Sequence, residues 1–415
     1  MFADGRLKMS TSLHRPGWSL AQTTLLHAWT HAYGVALLPL YLPMARDLGL
    51  PGLDRATLLV TLMMGAYFGP SYAMGVLADR VGRKPLLVWG LVANALGFVL
   101  LSRAGSFGSA AVAVVLAGLG GSTFHPAATA LVARLFPVAS GRAFGWFGVG
   151  ASLGFFVGPL YSGWRAEAVG WRQAVLEMGI GGLVTAAGFA WRFAEPPKAV
   201  AHPGASGPGA TRGATRAAMP LGLLALLATL FALRDFGGAG NGTLSSLYLQ
   251  KVHGDSVAAS GRVLSLVFLA SAVSNPLFGH WSERSRMRWA AVLLPVAALV
   301  LAALPWVPRA AFPGTLMAFG FFFMATYPIV DAALMDAVPD AVRGRVFGLF
   351  ITVGGLVGNA AHWTMGLWVE GLGGGMGRAA AYRPLFALLA SGVAAAMLAL
   401  PLLHRLRPDH GKPGR

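Results

Sequence analysis

The chain has no cysteine among its 415 residues, which excludes disulfide bonds, thiol catalysis and cysteine metal sites and leaves the redox compartment undetermined. Charge is also scarce, because only 11% of the residues are charged, against roughly a quarter in typical soluble domains. With 56% hydrophobic residues and a mean hydropathy of +0.63, the chain has too little charge to cover a water-exposed surface. It is therefore predicted to be a membrane protein.

Long hydrophobic runs recur along the whole chain. Each is close to the ~20 residues that a helix needs to cross a bilayer, and we count twelve. They cover residues 18–42, 55–78, 86–102, 109–135, 142–163, 172–194, 219–249, 260–281, 289–307, 311–337, 346–370 and 380–404, here called spans one to twelve. Residues 1–17 are polar and basic, so we expect no cleaved signal peptide.

Acidic residues are few, since 15 Asp and Glu stand against 32 Lys and Arg and give a net charge of +17. In a soluble protein this excess would indicate a nucleic-acid partner. Here both termini and the loops on their side hold 21 basic residues, the opposite loops hold 10, and Arg234 alone lies mid-span. Lys and Arg accumulate in cytoplasmic loops. We therefore expect cytoplasmic termini, a place in the cell (inner) membrane, the lipid bilayer as partner and no nucleic acid.

Two features divide the chain into halves. Residues 195–218 are rich in Pro, Gly, Ala and Ser without an apolar period, and are predicted to form a cytoplasmic linker. The run GRxFGxF at Gly141 recurs at Gly344, 203 residues later. We therefore expect a six-helix half at 1–194 and a second at 219–415, which makes an all-α membrane protein of twelve transmembrane helices in two pseudo-symmetric bundles. Such a duplication favours alternating access.

A polar loop follows span two and reads GVLADRVGRKP, which resembles the signature loop of the major facilitator superfamily position for position. Gly75 lets helices approach and Gly82 permits a tight turn. The resemblance implies that Asp79 contacts the start of span eleven, near residues 342–344, and latches the cytoplasmic gate, where a helix N-terminus favours an anion. An ordinary turn with inside-facing charge is the alternative. The candidate gating residues of this loop are Gly75, Asp79, Arg80, Gly82, Arg83 and Lys84.

The second half carries a degenerate counterpart of this loop, which begins at Gly279. Glu283 in it is a candidate to take the part of Asp79 by contacting Arg142. Arg345, the repeat counterpart of Arg142, joins them as a candidate gating residue.

Span five contains a run of small residues that resembles the antiporter signature of the superfamily, with a serine in place of one glycine. Small residues permit bending or close packing of membrane helices. Packing without any bearing on the direction of transport is the alternative. Span four lacks the arginine of the drug:proton antiporters and has Val114 there. The residues of the run are Gly154, Gly158, Pro159, Ser162 and Gly163.

Further matches resemble the fosmidomycin-resistance branch of the superfamily. They comprise AGSF at 104–107, Phe124-His125-Pro126, Gly158-Pro159-Leu160, Leu233-Arg234 and His27. His31 departs from this pattern, because an aspartate is expected four residues after the histidine of span one.

Charged side chains inside the membrane cost on the order of 3 kcal/mol on insertion scales, so each is a candidate functional residue. Arg234 and Asp235 are neighbours near the middle of span seven, about 100° apart on a helix. Arg234 could bind a carboxylate or phosphonate in bidentate fashion, while Asp235 neutralises it or faces a different cavity. An ion pair that locks span seven to a neighbouring helix is the alternative.

His27 and His31 are spaced i, i+4 in span one and share a helix face. Three interpretations are open: a proton-linked pair that titrates near neutrality, half of a metal site, or two hydrogen-bonded packing residues. A metal would need further ligands, for which His125 and Asp331 are candidates. His125 could equally cap a break in span four. We expect proton or substrate contact and assign no metal site.

Other polar residues also lie within the predicted spans. Isolated amides there commonly form interhelical hydrogen bonds, which is the alternative to lining a pore. Asp336 is expected at the cytoplasmic gate, and Glu177 and Glu370 at the outer interface, in contact with water. The pore-lining candidates are Asp331, Asn241, Asn359, His362 and Gln22.

Together these features predict a secondary active transporter with its substrate site between the two halves. We expect proton-coupled export of a small polar or anionic solute by a monomer, with that solute and protons as partners and no cofactor. A uniporter or a proton-coupled importer is the alternative. An intramembrane enzyme or a sensor is a remote one, because the sequence has no HExxH motif, no nucleotide-binding loop, no Ser/His motif and no signalling domain.

Overall fold

The computed structural model describes residues 16–136, 140–193, 195, 221–337 and 340–406. Helices joined by short connections make up these ranges, which contain no strand. The first half comprises α1 Pro16–Ala36, α2 Tyr41–Asp47, α3 Leu53–Phe68, α4 Ser71–Val81, α5 Arg83–Ser102, α6 Phe107–Ser122, α7 Phe124–Leu135, α8 Ser140–Val169 and α9 Trp171–Arg192. The second half comprises α10 Leu221–Lys251, α11 Val257–Trp281, α12 Arg286–Ala303, α13 Phe312–Met324, α14 Thr326–Ala337, α15 Asp340–Gly371, α16 Ala379–Ala395 and α17 Ala399–Leu406.

These helices trace twelve membrane spans. Nine helical segments of the described chain are long and apolar enough to cross a membrane. The three other predicted spans correspond to α1, to α3 followed by α4, and to α15. The all-α fold in two six-helix bundles is therefore confirmed. Most of the predicted linker lies outside the described residues, so its boundaries stay a prediction.

Three spans are interrupted at defined points. Span two breaks at Gly69 and Pro70, where proline has no N–H to continue the helical hydrogen bonds. Span four breaks at Thr123 and span ten at Ala325, which are 202 residues apart and thus equivalent in the repeat. The Thr123 hydroxyl donates to the Gly120 carbonyl at 2.9 Å, which satisfies one group freed by the break. In spans four and ten, His125 and Tyr327 follow the break by two residues and line the cavity between the halves.

The halves are built from equivalent helix pairs. The first span packs along α8 in the first half, and α10 packs along α15 in the second. Glycines make the first of these contacts close, because a Cβ at Gly154 would overlap the Ala28 carbonyl and one at Gly158 would lie 2.6 Å from the Ala32 carbonyl oxygen. The small residues of span five therefore pack span five against span one.

The two bundles meet along α3 with α15 and along α8 with α11. Gly163 belongs to this second contact, since a Cβ there would lie 2.8 Å from the Val257 carbonyl oxygen. We call the side of the molecule at which α9 ends and α10 begins the linker side, and the opposite side the far side. A cavity lies between the bundles.

Candidate functional site

The cavity has a volume of about 620 Å³ and is bordered by helices of both halves. Phenylalanines form much of its wall, and Phe155 of the first half stacks on Phe268 of the second with 4.8 Å between ring centroids. All nine predicted substrate-binding or proton-coupling residues line this one cavity: Arg234, Asp235, His27, His31, His125, Asp331, Asn241, Asn359 and His362. They divide into a charged cluster, a histidine cluster and a hydrogen-bonded chain.

The charged cluster is centred on Arg234, of which only 3% is exposed. Its Nε and Nη2 groups donate to Asp235 Oδ1 at 3.0 and 2.8 Å, so the two adjacent residues pair and do not face different cavities. The guanidinium lies over the rings of Phe231 and Tyr327, at 5.4 and 4.1 Å from their centroids. Asp331 is close enough to Arg234 to interact with it electrostatically. Arg234 Nη1 is buried and has no hydrogen-bond partner in the described chain.

Glycines of α15 position Asp235. A Cβ at Gly354 would lie 2.6 Å from Asp235 Oδ2, and one at Gly358 would lie 2.8 Å from Asp235 Cβ. The Asp235 carboxylate therefore sits in a notch on α15, where it holds the Arg234 guanidinium beside the cavity. An unsatisfied, positively charged donor in such a place is suited to an anion.

The histidine cluster consists of His27, His31 and His125. One ring nitrogen from each lies within 4.8 Å of the others. The His27 ring packs against both Phe147 and Phe124, with centroids 4.0 and 5.1 Å away, and its Nδ1 donates to the Phe147 carbonyl at 2.8 Å. Because Nδ1 carries the proton, the Nε2 of a neutral His27 accepts, and it receives a bond from His31 Nε2 at 3.0 Å. The predicted i, i+4 pair of His27 and His31 is thus hydrogen-bonded. His125 of span four is the third histidine of the cluster.

The two clusters occupy equivalent places in the two halves. His31 precedes Arg234 by 203 residues, and His125 precedes Tyr327 by 202. The cavity therefore has one wall of three imidazoles and one wall with a guanidinium and carboxylates, at equivalent depths of the repeat.

A chain of hydrogen bonds crosses between the halves beside the cavity. His362 Nε2 donates to Asn359 Oδ1 at 3.2 Å, so His362 Nδ1 accepts from the Thr243 hydroxyl at 2.7 Å. Thr243 in turn accepts from the Tyr41 hydroxyl of the first half at 2.9 Å. Asn241 accepts from Ser245 within α10 at 2.9 Å. The amide and histidine candidates of spans seven and eleven therefore form structural hydrogen bonds as well as lining the cavity.

The far side of the cavity is closed by bonds between the halves. The Thr61 hydroxyl donates to the Asn359 carbonyl at 2.9 Å, and the Ser246 hydroxyl donates to the Leu38 carbonyl at 2.6 Å. Glu370 is partly exposed and also accepts from the backbone amide of Leu53 at 2.8 Å, so its predicted contact with water stays a prediction. Glu177 is also paired, because Arg165 Nε donates to it at 2.7 Å.

The signature loop forms the turn between α4 and α5 on the linker side. Gly82 has a φ of 98°, which side chains rarely adopt, and a Cβ at Gly75 would lie 3.7 Å from Pro126. The backbone amides of Arg83 and Lys84 each donate to Glu195 at 3.1 Å. Glu195 therefore caps α5.

Several gating predictions concern side chains outside the described residues. They include Asp79, Arg345 and Asp336, so the predicted latch to span eleven stays a prediction. Glu283 lies 4.0 Å from His280, on its own helix end, and forms no ion pair with Arg142 in the described chain. The predicted contact of Glu283 with Arg142 stays a prediction. Arg80 and Arg142 are exposed.

Three residues that contribute to the site were not predicted from the sequence. Tyr327 and Thr243 carry no charge, and Glu195 lies at the edge of the predicted linker. A signal was available for Tyr327, because its repeat counterpart is His125, which the sequence had singled out. Thr243 gave no comparable signal.

Two matched bundles around a shared cavity, with the signature loop at the linker side, match a known family. Residues 24–362 match the family model of the Major Facilitator Superfamily. The chain belongs to this superfamily. It is a membrane transporter and not an enzyme.

Curated relatives in the superfamily match only part of the chain. A Multidrug resistance protein MdtH from Shigella dysenteriae serotype 1 (strain Sd197) is 37% identical over 93 residues, which are 22% of this chain and 23% of that protein. The protein of the same name from Yersinia enterocolitica serotype O:8 / biotype 1B is 36% identical over 107 residues, 25% of this chain and 27% of the relative. The match thus spans about a quarter of these relatives. Their name differs from the fosmidomycin-resistance branch that the sequence resembles, so membership of the superfamily is what is established.

Solved structures match nearly the whole chain. A bacterial homolog to the human lysosomal transporter Spinster, in an inward-facing and unoccupied conformation, has a TM-score of 0.77 at 18% identity, over 96% of this chain and 100% of that one. Its inward-facing and occupied form has a TM-score of 0.75 at 17% identity, over 96% and 99% of the two chains. At this identity the likeness shows the fold.

Proposed function

We propose that the chain exports a small polar or anionic solute from the cytoplasm across the inner membrane, as a monomer, in exchange for protons. The observation that carries this proposal is the guanidinium of Arg234, a residue bordering the cavity, whose Nη1 is buried without a partner in the described chain. A carboxylate or phosphonate of the solute would supply that partner. The phenylalanine walls favour a solute with an apolar part next to its anionic group.

Alternating access follows from the two-bundle fold. The bonds between the halves close the far side, so the next step of the cycle breaks them and forms contacts on the linker side. We assign the linker side to the cytoplasm, because it carries most of the basic residues. The same rule places both termini in the cytoplasm.

Export is supported by the partial likeness to proteins named for multidrug resistance. Proton coupling is supported by the ionisable residues of the cavity, because Asp331 and Asp235 both interact electrostatically with Arg234 and three imidazoles line the same cavity. Asp331 is our candidate to carry the exchanged proton. A solute anion bound at Arg234 would compete with the Asp331 carboxylate for the positive charge of the guanidinium. Uniport or proton-coupled import is the alternative function.

The test begins with purified protein and a panel of amphipathic carboxylates and phosphonates, screened by thermal shift. A hit is then measured for transport in proteoliposomes with and without an imposed pH gradient. We expect transport that follows the gradient, and at least a tenfold loss of affinity in Arg234→Ala that Arg234→Lys partly restores. Unchanged affinity in Arg234→Ala would refute the binding role, and transport that ignores the gradient would favour the uniporter.

A further inference from the structure

The histidine cluster has the spacing of a metal site. Zinc–imidazole bonds are about 2.0–2.1 Å long, so two nitrogens on one tetrahedral ion lie ~3.4 Å apart. His27 Nε2 and His31 Nε2 are 3.0 Å apart, and His125 completes a set within 4.8 Å. The ring nitrogens therefore need displacements of at most ~1.4 Å to share one ion.

The surroundings of His27 orient its ligand atom. Its Nδ1–H group donates to the Phe147 carbonyl, and the ring packs against Phe124 and Phe147. Histidines that bind metals commonly donate their second N–H to a carbonyl in this way, which fixes the lone pair of the other nitrogen toward the ion.

His31 and His125 can supply the second and third bonds. In the hydrogen bond between the two histidines, the Nε2 proton of His31 lies between the two rings. A metal ion replaces that proton when neutral His31 carries its hydrogen on Nδ1, a change of tautomer without a change of charge. The ring of His125 has no hydrogen-bond partner among the described residues and borders the cavity, so no other protein group competes for its nitrogens.

The ligand set selects the class of ion. Three imidazoles without a carboxylate suit zinc, cobalt, nickel or copper, whereas magnesium and calcium prefer oxygen ligands. All three rings border the cavity, so a fourth coordination position faces the translocated solute or water.

We infer that His27, His31 and His125 bind one divalent first-row transition-metal ion on the cavity wall of the first half. This site is separate from the anion site at Arg234 and does not depend on the proposed export function. Its position places any bound ion in the space through which a solute passes.

The test uses full-length protein in detergent, freed of any polyhistidine tag and titrated with Co²⁺. We expect one ion per chain, with the visible absorption of a four-coordinate nitrogen site, and displacement by Zn²⁺ but not by Mg²⁺. His27→Ala, His31→Ala and His125→Gln should each lower the affinity at least tenfold. His253→Ala, at a histidine outside the cavity, should leave it unchanged.

Two measurements keep the outcomes distinct. Zn²⁺ should raise the thermal unfolding midpoint of the wild type but not that of His125→Gln. This comparison tests metal binding even if His27→Ala fails to fold. Arg234→Ala should retain cobalt binding, so loss of the anion site leaves this inference standing. Wild-type affinity for Co²⁺ equal to that of His125→Gln would overturn it.

Discussion

Glu167 and Glu370 lie 203 residues apart and make the same contact in opposite directions across the two halves. Glu370, at the end of α15, accepts from the Leu53 amide at the start of α3 at 2.8 Å. Glu167, near the end of α8, accepts from the Ala258 amide in the first turn of α11 at 2.9 Å. Each carboxylate thus caps a helix of the other half, where unsatisfied amides and the helix dipole favour an anion.

Removing either carboxylate should weaken closure of the far side. A lost helix cap costs about 0.5–2 kcal/mol, which corresponds to an approximately 2- to 30-fold larger population open to the far side. We expect Glu167→Ala and Glu370→Ala to increase the labelling rate of Val35→Cys in the cavity by that factor, when an impermeant thiol reagent is added on the far side. The absence of native cysteine leaves this residue as the one reactive thiol.

Glu177→Ala provides the matched control. Glu177 is bound by Arg165 of the same half, so its loss should leave the labelling rate unchanged. Equal labelling of the wild type and both cap variants would show that the two caps do not hold the far side closed.

The sequence predicted the helices well because hydropathy reports burial in lipid directly. Span three was placed at 86–102, and α5 runs Arg83–Ser102. The end of α8 and the start of α15 were missed by six residues each, because polar residues continue both helices beyond the apolar run. Hydropathy does not register such extensions.

Contacts between distant spans were harder to predict. The i, i+4 spacing fixed the pairing of His27 and His31, but the approach of His125 depends on how span four turns after its break at Thr123. The bond of Glu370 to the Leu53 amide was not predicted, because the two residues lie 317 positions apart in the sequence. The repeat offset, extended to Glu167, could have indicated that the two glutamates share one role.

Asp235→Asn should destabilise the protein, because it leaves the buried guanidinium of Arg234 without its counter-charge. Breaking one side of a buried ion pair typically costs about 3–5 kcal/mol, whereas replacing both members by apolar residues is often neutral. We therefore expect a lower thermal unfolding midpoint for Asp235→Asn and recovery in Arg234→Leu/Asp235→Leu. A double variant no more stable than Asp235→Asn would argue against this explanation.

His253, in the connection between α10 and α11, should make stability depend on pH. Burial, with a smaller contribution from Arg309, lowers the pKa of His253 below its ordinary 6.5. The folded state therefore binds fewer protons, and this contribution to stability is present above pH 6.5 and lost as the pH falls toward the lowered pKa. Between neutral pH and about pH 5, the unfolding midpoint should fall more for the wild type than for His253→Phe. Parallel curves would contradict the assignment.

The glycines of span five offer a last test, since one helix contains both a tight site and an open one. A Cβ at Gly154 would overlap the Ala28 carbonyl, whereas a Cβ at Gly148 would meet nothing within 4 Å. Overpacking against backbone costs about 1–3 kcal/mol, so Gly154→Ala should lower the thermal unfolding midpoint. Gly148→Ala should leave it unchanged or raise it, because alanine favours a helix by up to about 1 kcal/mol over glycine. Equal midpoints for the two variants would contradict the packing role. The same variant also tests the direction of transport. If Gly154→Ala is less stable but keeps the wild-type ratio of export to import, the small residues of span five serve packing and not the direction of transport.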